Sequence, residues 1–266
     1  MDVILAAASC DPATDIICVP ENVNELFELP FVGAFNRTIL LMLLAAVIVV
    51  ALLYFGLHKR SIMPTKFGTA IESLVTFVRD DIAIGIIGPN DGLKYFPYLL
   101  SLFLFLLVGN LFEITPFVNF PIASRIGIPI FLALLTWVIF VVAGLRKQGL
   151  AYIGHLLWPP GVPIALKPLV GLIEFVSTLF LRPITLAVRL FANMVAGHLM
   201  LTLLLVSGVV FVSNVGNIGA RAIIGIPWFV FGLGIFLFEI VVAVLQAYIF
   251  TLLSAVYVQT SIHPEH

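Results

Sequence analysis

The sequence predicts an all-α integral membrane protein. The expected order is one N-terminal span, a surface amphipathic helix, an upright helical hairpin, then two long, steeply tilted helices forming a C-terminal hairpin. Three observations carry that expectation. Of 266 residues, 62% are hydrophobic and 10% charged, against about 45–50% and about 25% in soluble domains. A soluble fold of this length has too little interior to hide so much apolar surface. Apolar runs recur at roughly the twenty residues a helix needs to cross about 30 Å of hydrocarbon, and most charges fall between them. A soluble enzyme, a disordered chain and a nucleic-acid binder with a basic surface are excluded. The surroundings are membrane lipid, with no nucleic-acid partner.

Residues 1–36 hold six carboxylates (Asp2, Asp11, Asp15, Glu21, Glu25, Glu28) and no Lys or Arg. Basic residues cluster instead in short loops, at Lys59, Arg60 and Lys66, at Lys94, and at Arg146 and Lys147. The positive-inside rule puts those loops in the cytoplasm and residues 1–36 outside, as an extracytoplasmic tail. Residues 1–9 carry no basic region ahead of their short apolar stretch, so no cleaved signal peptide is expected. Both cysteines, Cys10 and Cys18, lie in this tail. An oxidising compartment permits a disulfide between them, and two unpaired thiols fit equally well.

The first transmembrane helix, within 37–60, runs uncharged from Thr38 to Leu57 and stops at His58, Lys59 and Arg60. Residues 61–95 interleave apolar positions with Glu72, Arg79, Asp80, Asp81 and Asp91, the pattern of an amphipathic segment on the cytoplasmic surface, with a turn at GPNDG 88–92. The transmembrane hairpin, 96–147, has spans from about Phe96 to Ile114 and from about Ile128 to Leu145. A cytoplasmic connector, 148–168, is rich in Pro and Gly. Residues 169–266 form the tilted hairpin. The apolar run Trp228–Val258 would be roughly 46 Å long as one helix, which fits about 30 Å of hydrocarbon only at a tilt of about 50°. No internal duplication is visible, against an inverted-repeat transporter.

The polar residues inside these spans come at readable spacings. An ionisable group at that depth costs about 2.5–3.5 kcal/mol on insertion scales and marks a candidate functional site. Arg182, Thr185, Arg189 and Asn193 form one stripe, and His198 points to the opposite face. On the final helix Glu239, Gln246 and Tyr257 share a face. Arg182, next to Pro183 near a membrane surface, suits snorkelling to headgroups. Arg189 lies too deep for that and keeps its charge, and no acid lies on its own face, so its partner comes from another helix or another chain. Glu239 and His198 could relay a proton or join the hairpin helices as a structural hydrogen bond. Asn193 and Gln246 suit interhelical hydrogen bonding as well as transport. Asn110 and Glu113 (i, i+3) could line an entrance or face headgroups, and Glu174 could mark the opposite exit. No metal-ligand set, cofactor motif, nucleophile–base set or phosphate-binding glycine loop is present.

The stretch LAVRLFANMVAGH (186–198), followed by IFLFEIVVAVLQAYIFTLLSAVY (235–257), closely resembles subunit a of F-type ATP synthases. The resemblance is specific over the last hundred residues and topological over residues 1–90. It implies that Arg189 faces a rotating ring of c subunits whose carboxylate is its missing partner. Asn193, His198, Glu239 and Gln246 match the family's other proton-translocating positions. Asn110 and Glu113 resemble the polar pair of the external half-channel, and Glu174 is similar to an acid near the start of its helix. It further implies a non-catalytic subunit with two offset half-channels coupling a proton gradient to rotation. The c-ring, peripheral-stalk b subunits and the rest of the ATP synthase would be its partners. The acidic, cysteine-containing tail, with no organelle-targeting segment visible, favours a multi-pass protein of a bacterial inner (plasma) membrane, N-terminus outside and C-terminus cytoplasmic. The alternative is a stand-alone proton channel or secondary transporter using the same buried charges.

Overall fold

Helix α1 (Arg37–Leu57) sends Leu43, Val47, Val50 and Phe55 outward, all exposed. Such a face is intolerable in water and is what lipid requires. In hydrocarbon the backbone must satisfy its own hydrogen bonds, so spans take helical form. The computed structural model describes residues 17, 37–57, 66–115, 122–149, 151–157, 163, 166–213 and 223–263. Cys10 and Cys18, with the disulfide expectation, lie outside the described residues, as does the turn at 214–222. Among the described residues the elements are helices, five of them long and apolar enough to cross a membrane.

Helix α2 (Lys66–Phe77) continues as a π-helical segment, Val78–Ile87. It buries Ile71, Val78 and Ile82 and exposes Glu72, Arg79, Asp80 and Asp81. Hydrogen bonds from Arg79, the shorter at 2.7 Å, hold the Asp80 carboxyl below its ordinary pKa. Gly88, at φ +100°, ends this segment. Helix α3 (Pro89–Ile114) therefore starts at Pro89, where the sequence suggested a turn and a span from about Phe96. A proline suits the first helical position, where no N–H is needed, and Asp91 meets the positive end of the helix dipole. Gly92 lies against the Ala83 carbonyl, where a side chain would collide.

Helix α4 (Gly127–Gln148) follows, then α5 (Ala151–Leu157), a short helix within the stretch the sequence suggested was a Pro- and Gly-rich connector. Tyr152 of α5 lies on Gly144 so closely that a Cβ there would stand 2.6 Å from its ring. Helix α6 (Lys167–Val176), a π-helical turn (Ser177–Leu181) and α7 (Arg182–Ser213) form one run of 47 residues, and α8 (Gly225–Ile262) has 38. At about 1.5 Å per residue these are roughly 70 and 57 Å long. Neither stands upright within about 30 Å of hydrocarbon, so each is inclined or carries its ends outside it.

The chain forms two compact units. The first comprises Met1–Leu44, Gly109–Ser124 and Ala192–Leu245. In it α7 and α8 run antiparallel, and the register is legible from glycines. A Cβ at Gly208 would lie 2.9 Å from the Phe229 backbone, one at Gly232 2.8 Å from Leu205, and one at Gly225 2.7 Å from Phe211. Close approach through small residues is how helices associate where lipid is as apolar as the interface.

The second unit comprises Ala45–Val108, Arg125–Phe191 and Gln246–His266. Phe77 packs on Phe103 and Tyr248, with centroids 6.2 and 5.8 Å away, and the Tyr98 hydroxyl meets Thr136 Oγ1 at 2.7 Å. Asp91, 7% exposed, binds Lys94 at 2.8 Å, Lys147 at 2.9 Å and His263 at 3.5 Å. Gln148 donates to the Ser261 carbonyl at 2.7 Å. These contacts tie the last turn of α8 to α3 and α4. An Asp91→Asn change should cost about 1–3 kcal/mol, since a hydrogen-bonded charge at a buried position is lost. Hydrogen exchange at the amides of 259–262 should accelerate, while exchange in α1 stays unchanged.

Candidate functional site

Helix α7 divides its side chains by face. Leu186, Leu190 and Met194 are buried, while Thr185, Val188, Arg189, Ala192, Asn193 and Ala196 are exposed on one stripe. The 3.6-residue period produces that division, since i, i+3, i+4 and i+7 share a face. Arg189 sits in the middle of it. Among the described residues it has no ion pair or hydrogen bond, so a charge that cannot be discharged points out of the chain. Ala192 and Ala196 keep the surface beside it low.

Arg182, two turns earlier, behaves differently. The sequence favoured snorkelling to headgroups; within the chain the guanidinium lies over the Tyr257 ring, 5.3 Å from its centroid, and Nη1 donates to Thr260 Oγ1 at 3.3 Å. Gln246, 1% exposed, is buried on α8 in this same unit, and Glu174 is half-buried on α6 with no ion pair among the described residues.

The first unit holds a buried polar group. Asn110 and Glu113 are each 2% exposed, His198 3% and Glu239 8%. Asn110 Nδ2 donates to the Ala243 carbonyl at 3.1 Å, placing this face of α3 against α8. The headgroup-facing placement left open by the sequence is therefore not the one adopted. Glu113 and Glu239 lie within electrostatic reach of each other, and Glu113 Oε1 has no hydrogen-bond partner among the described residues. A buried polar atom so placed is a position for a proton or a water molecule. Carboxyls and an imidazole can accept and donate protons, and an amide can donate and accept hydrogen bonds.

Gly197 is part of this site and was not singled out in the sequence. A Cβ built on it would stand 2.5 Å from both carboxyl oxygens of Glu239, so the carboxyl rests directly on the α7 backbone. The available signal was a glycine directly before His198, one of two in α7. Gly197→Ala should push the carboxyl away and cost about 1–3 kcal/mol. Glu239→Ala in the same chain should relieve most of that cost, whereas the isosteric Glu239→Gln should not. Thermal unfolding in detergent of Gly197→Ala, of each Glu239 variant alone and of the two double variants measures the coupling.

Comparison with known proteins follows the same residues. The sequence model of the ATP synthase A chain family matches residues 39–259. The ATP synthase subunit a of Frankia alni is 42% identical over 241 residues, covering 87% of this chain and 79% of that one. That of Rhodococcus erythropolis is 37% identical over 231 residues, covering 86% and 83%. That of Rhodopseudomonas palustris is 37% identical over 252 residues, covering 92% and 96%. A match of that extent, running through the α7 stripe and the buried polar group, places the chain in the ATP synthase A chain family.

Proposed function

We propose that this chain is the stator subunit a of a rotary F-type ATP synthase in a bacterial plasma membrane, with the N-terminus outside and the C-terminus in the cytoplasm. The observation that carries the reading is Arg189, an exposed arginine on a spanning helix with no counter-ion among the described residues. A permanent cation there is tolerable when a carboxylate of another subunit meets it. The carboxylates of a c-ring, presented one after another, are that partner. The small side chains Ala192 and Ala196 let the ring approach closely. The subunit does no ATP chemistry itself, and peripheral-stalk b subunits hold it against rotation.

Protons enter from outside through a first half-channel. Asn110 and Glu113 line it, and His198 and Glu239 pass the proton on, with Gln246 beside the path. The buried placement of these groups supports this role, since each can bind a proton or order water away from bulk solvent. A ring carboxylate takes the proton, becomes neutral and turns into lipid. When a carboxyl returns to the polar interface, Arg189 favours its ionised form, and the proton leaves through a second half-channel near Glu174. Asn193 orders the polar surface beside Arg189. The fixed charge of Arg189 also blocks direct passage between the two half-channels. The membrane potential supplies about 2.3 kcal/mol per charge for each 100 mV, and the pH gradient adds to it.

In the assembled complex, Arg189→Ala should abolish ATP-driven proton pumping and raise passive proton permeability. Coupled pumping at the normal rate in that variant would sink the mechanism. Glu239→Gln should slow proton delivery at least tenfold, about 1.4 kcal/mol in the barrier, without raising the leak. An unchanged rate would leave Glu239 a structural residue only.

A further inference from the structure

The proposed role of Arg189 needs its guanidinium to point in one direction, yet the helix carrying it is weakly constrained just upstream. Residues 177–181 form a π-helical turn, and Pro183 has no N–H to bond the preceding turn. Twist about the helix axis is cheapest to change at such a place. Arg182 sits between the π-helical turn and the proline, in the same compact unit as Arg189.

We infer that Arg182 is a positioning residue whose stack on Tyr257 sets the rotation of α7 against α8 and so aims Arg189. Its guanidinium lies 5.3 Å from the Tyr257 ring centroid, within the range of a cation–π contact. The ring is itself held, because Phe140, 1% exposed, meets it edge-on at 5.8 Å. Thr260 Oγ1 donates to the Tyr257 carbonyl at 3.2 Å, leaving its lone pairs to accept from Arg182 Nη1 at 3.3 Å. Each donor and acceptor in this set is therefore used consistently. No carboxylate binds Arg182 among the described residues, so the contact is not an ion pair. Arg182 and Arg189 are seven residues apart and differ by only about 20° in direction around the helix. Rotation fixed at the first is therefore transmitted to the second.

This inference rests on the proposed meeting of Arg189 with the ring, and its test separates the two. In the assembled complex, with Cys10 and Cys18 changed to Ser, cysteines are placed singly by Val188→Cys and Asn193→Cys. These positions flank the direction of Arg189 on either side. Each is cross-linked to a cysteine beside the ring carboxylate, and the ratio of the two yields reports the rotation of α7. Loss of a cation–π contact should change that ratio by about 2- to 30-fold. Tyr257→Phe, which keeps the ring, should leave it unchanged. Tyr257→Leu and Arg182→Gln should shift it alike, and the double variant no further than either one.

An unchanged ratio in Arg182→Gln, which leaves the apolar packing around Tyr257 and Phe140 intact, overturns the inference even where Tyr257→Leu fails to assemble. So does slowed pumping in Arg182→Gln with the ratio fixed, which would assign Arg182 to its charge alone. Absence of any cross-link to the ring would refute the reading of Arg189 instead. In that case the maleimide labelling rates of the same two cysteines report the rotation, with the same criteria.

Discussion

A charge that cannot be neutralised, set on a helix surrounded by hydrocarbon, is the constraint on which the rest of this structure depends. Arginine keeps its proton at any physiological pH, and at depth its insertion costs about 2.5–3.5 kcal/mol. The chain solves that problem twice on one helix. Arg182, half-buried, lies against an aromatic face and a hydroxyl of α8, while Arg189, seven residues on, points outward. The first arrangement is complete within the fold. The second has no ion pair or hydrogen bond among the described residues, which is what the proposed meeting with another subunit answers.

The opposite side of α7 shows a different economy of polar groups. His198 is buried there, and Gly197 gives the Glu239 carboxyl a place on the backbone itself. Three further glycine contacts draw α7 and α8 together in that unit. Asn110 reaches from α3 to the Ala243 carbonyl, so three helices contribute to one buried polar group. Small residues determine how near the helices approach, and that distance determines which polar atoms meet. Helix packing and the placement of buried polar groups are in this sense one design.

Much of this was legible in the sequence, for identifiable reasons. The spans showed themselves because hydrocarbon tolerates few charges, so the ends of α1 and α4 coincide with His58–Arg60 and Arg146–Lys147. The Thr185–Arg189–Asn193 stripe and the opposed His198 followed from helical period alone. What could not be read were meetings between residues far apart in the chain: Arg182 with Tyr257, Asp91 with Lys147 and His263, Gly197 with Glu239. Each depends on the register between helices, and no local pattern encodes that. The start of α3 at Pro89 escaped for another reason, since GPNDG carries turn residues that serve equally well to open a helix.

The length of the α6–α7 run alters what a residue number on it means. A run of 47 residues kept within the hydrocarbon lies at roughly 60° or more to the membrane normal. Each residue then changes depth by about 0.7 Å but travels about 1.3 Å sideways. At that inclination Arg182 and Arg189 stand about 9 Å apart in the plane of the membrane and only about 5 Å apart in depth. Position along a helix so inclined is chiefly a coordinate in the plane. Substituents two turns apart sit at similar depth yet address different neighbours, a disposition suited to a surface past which another body moves.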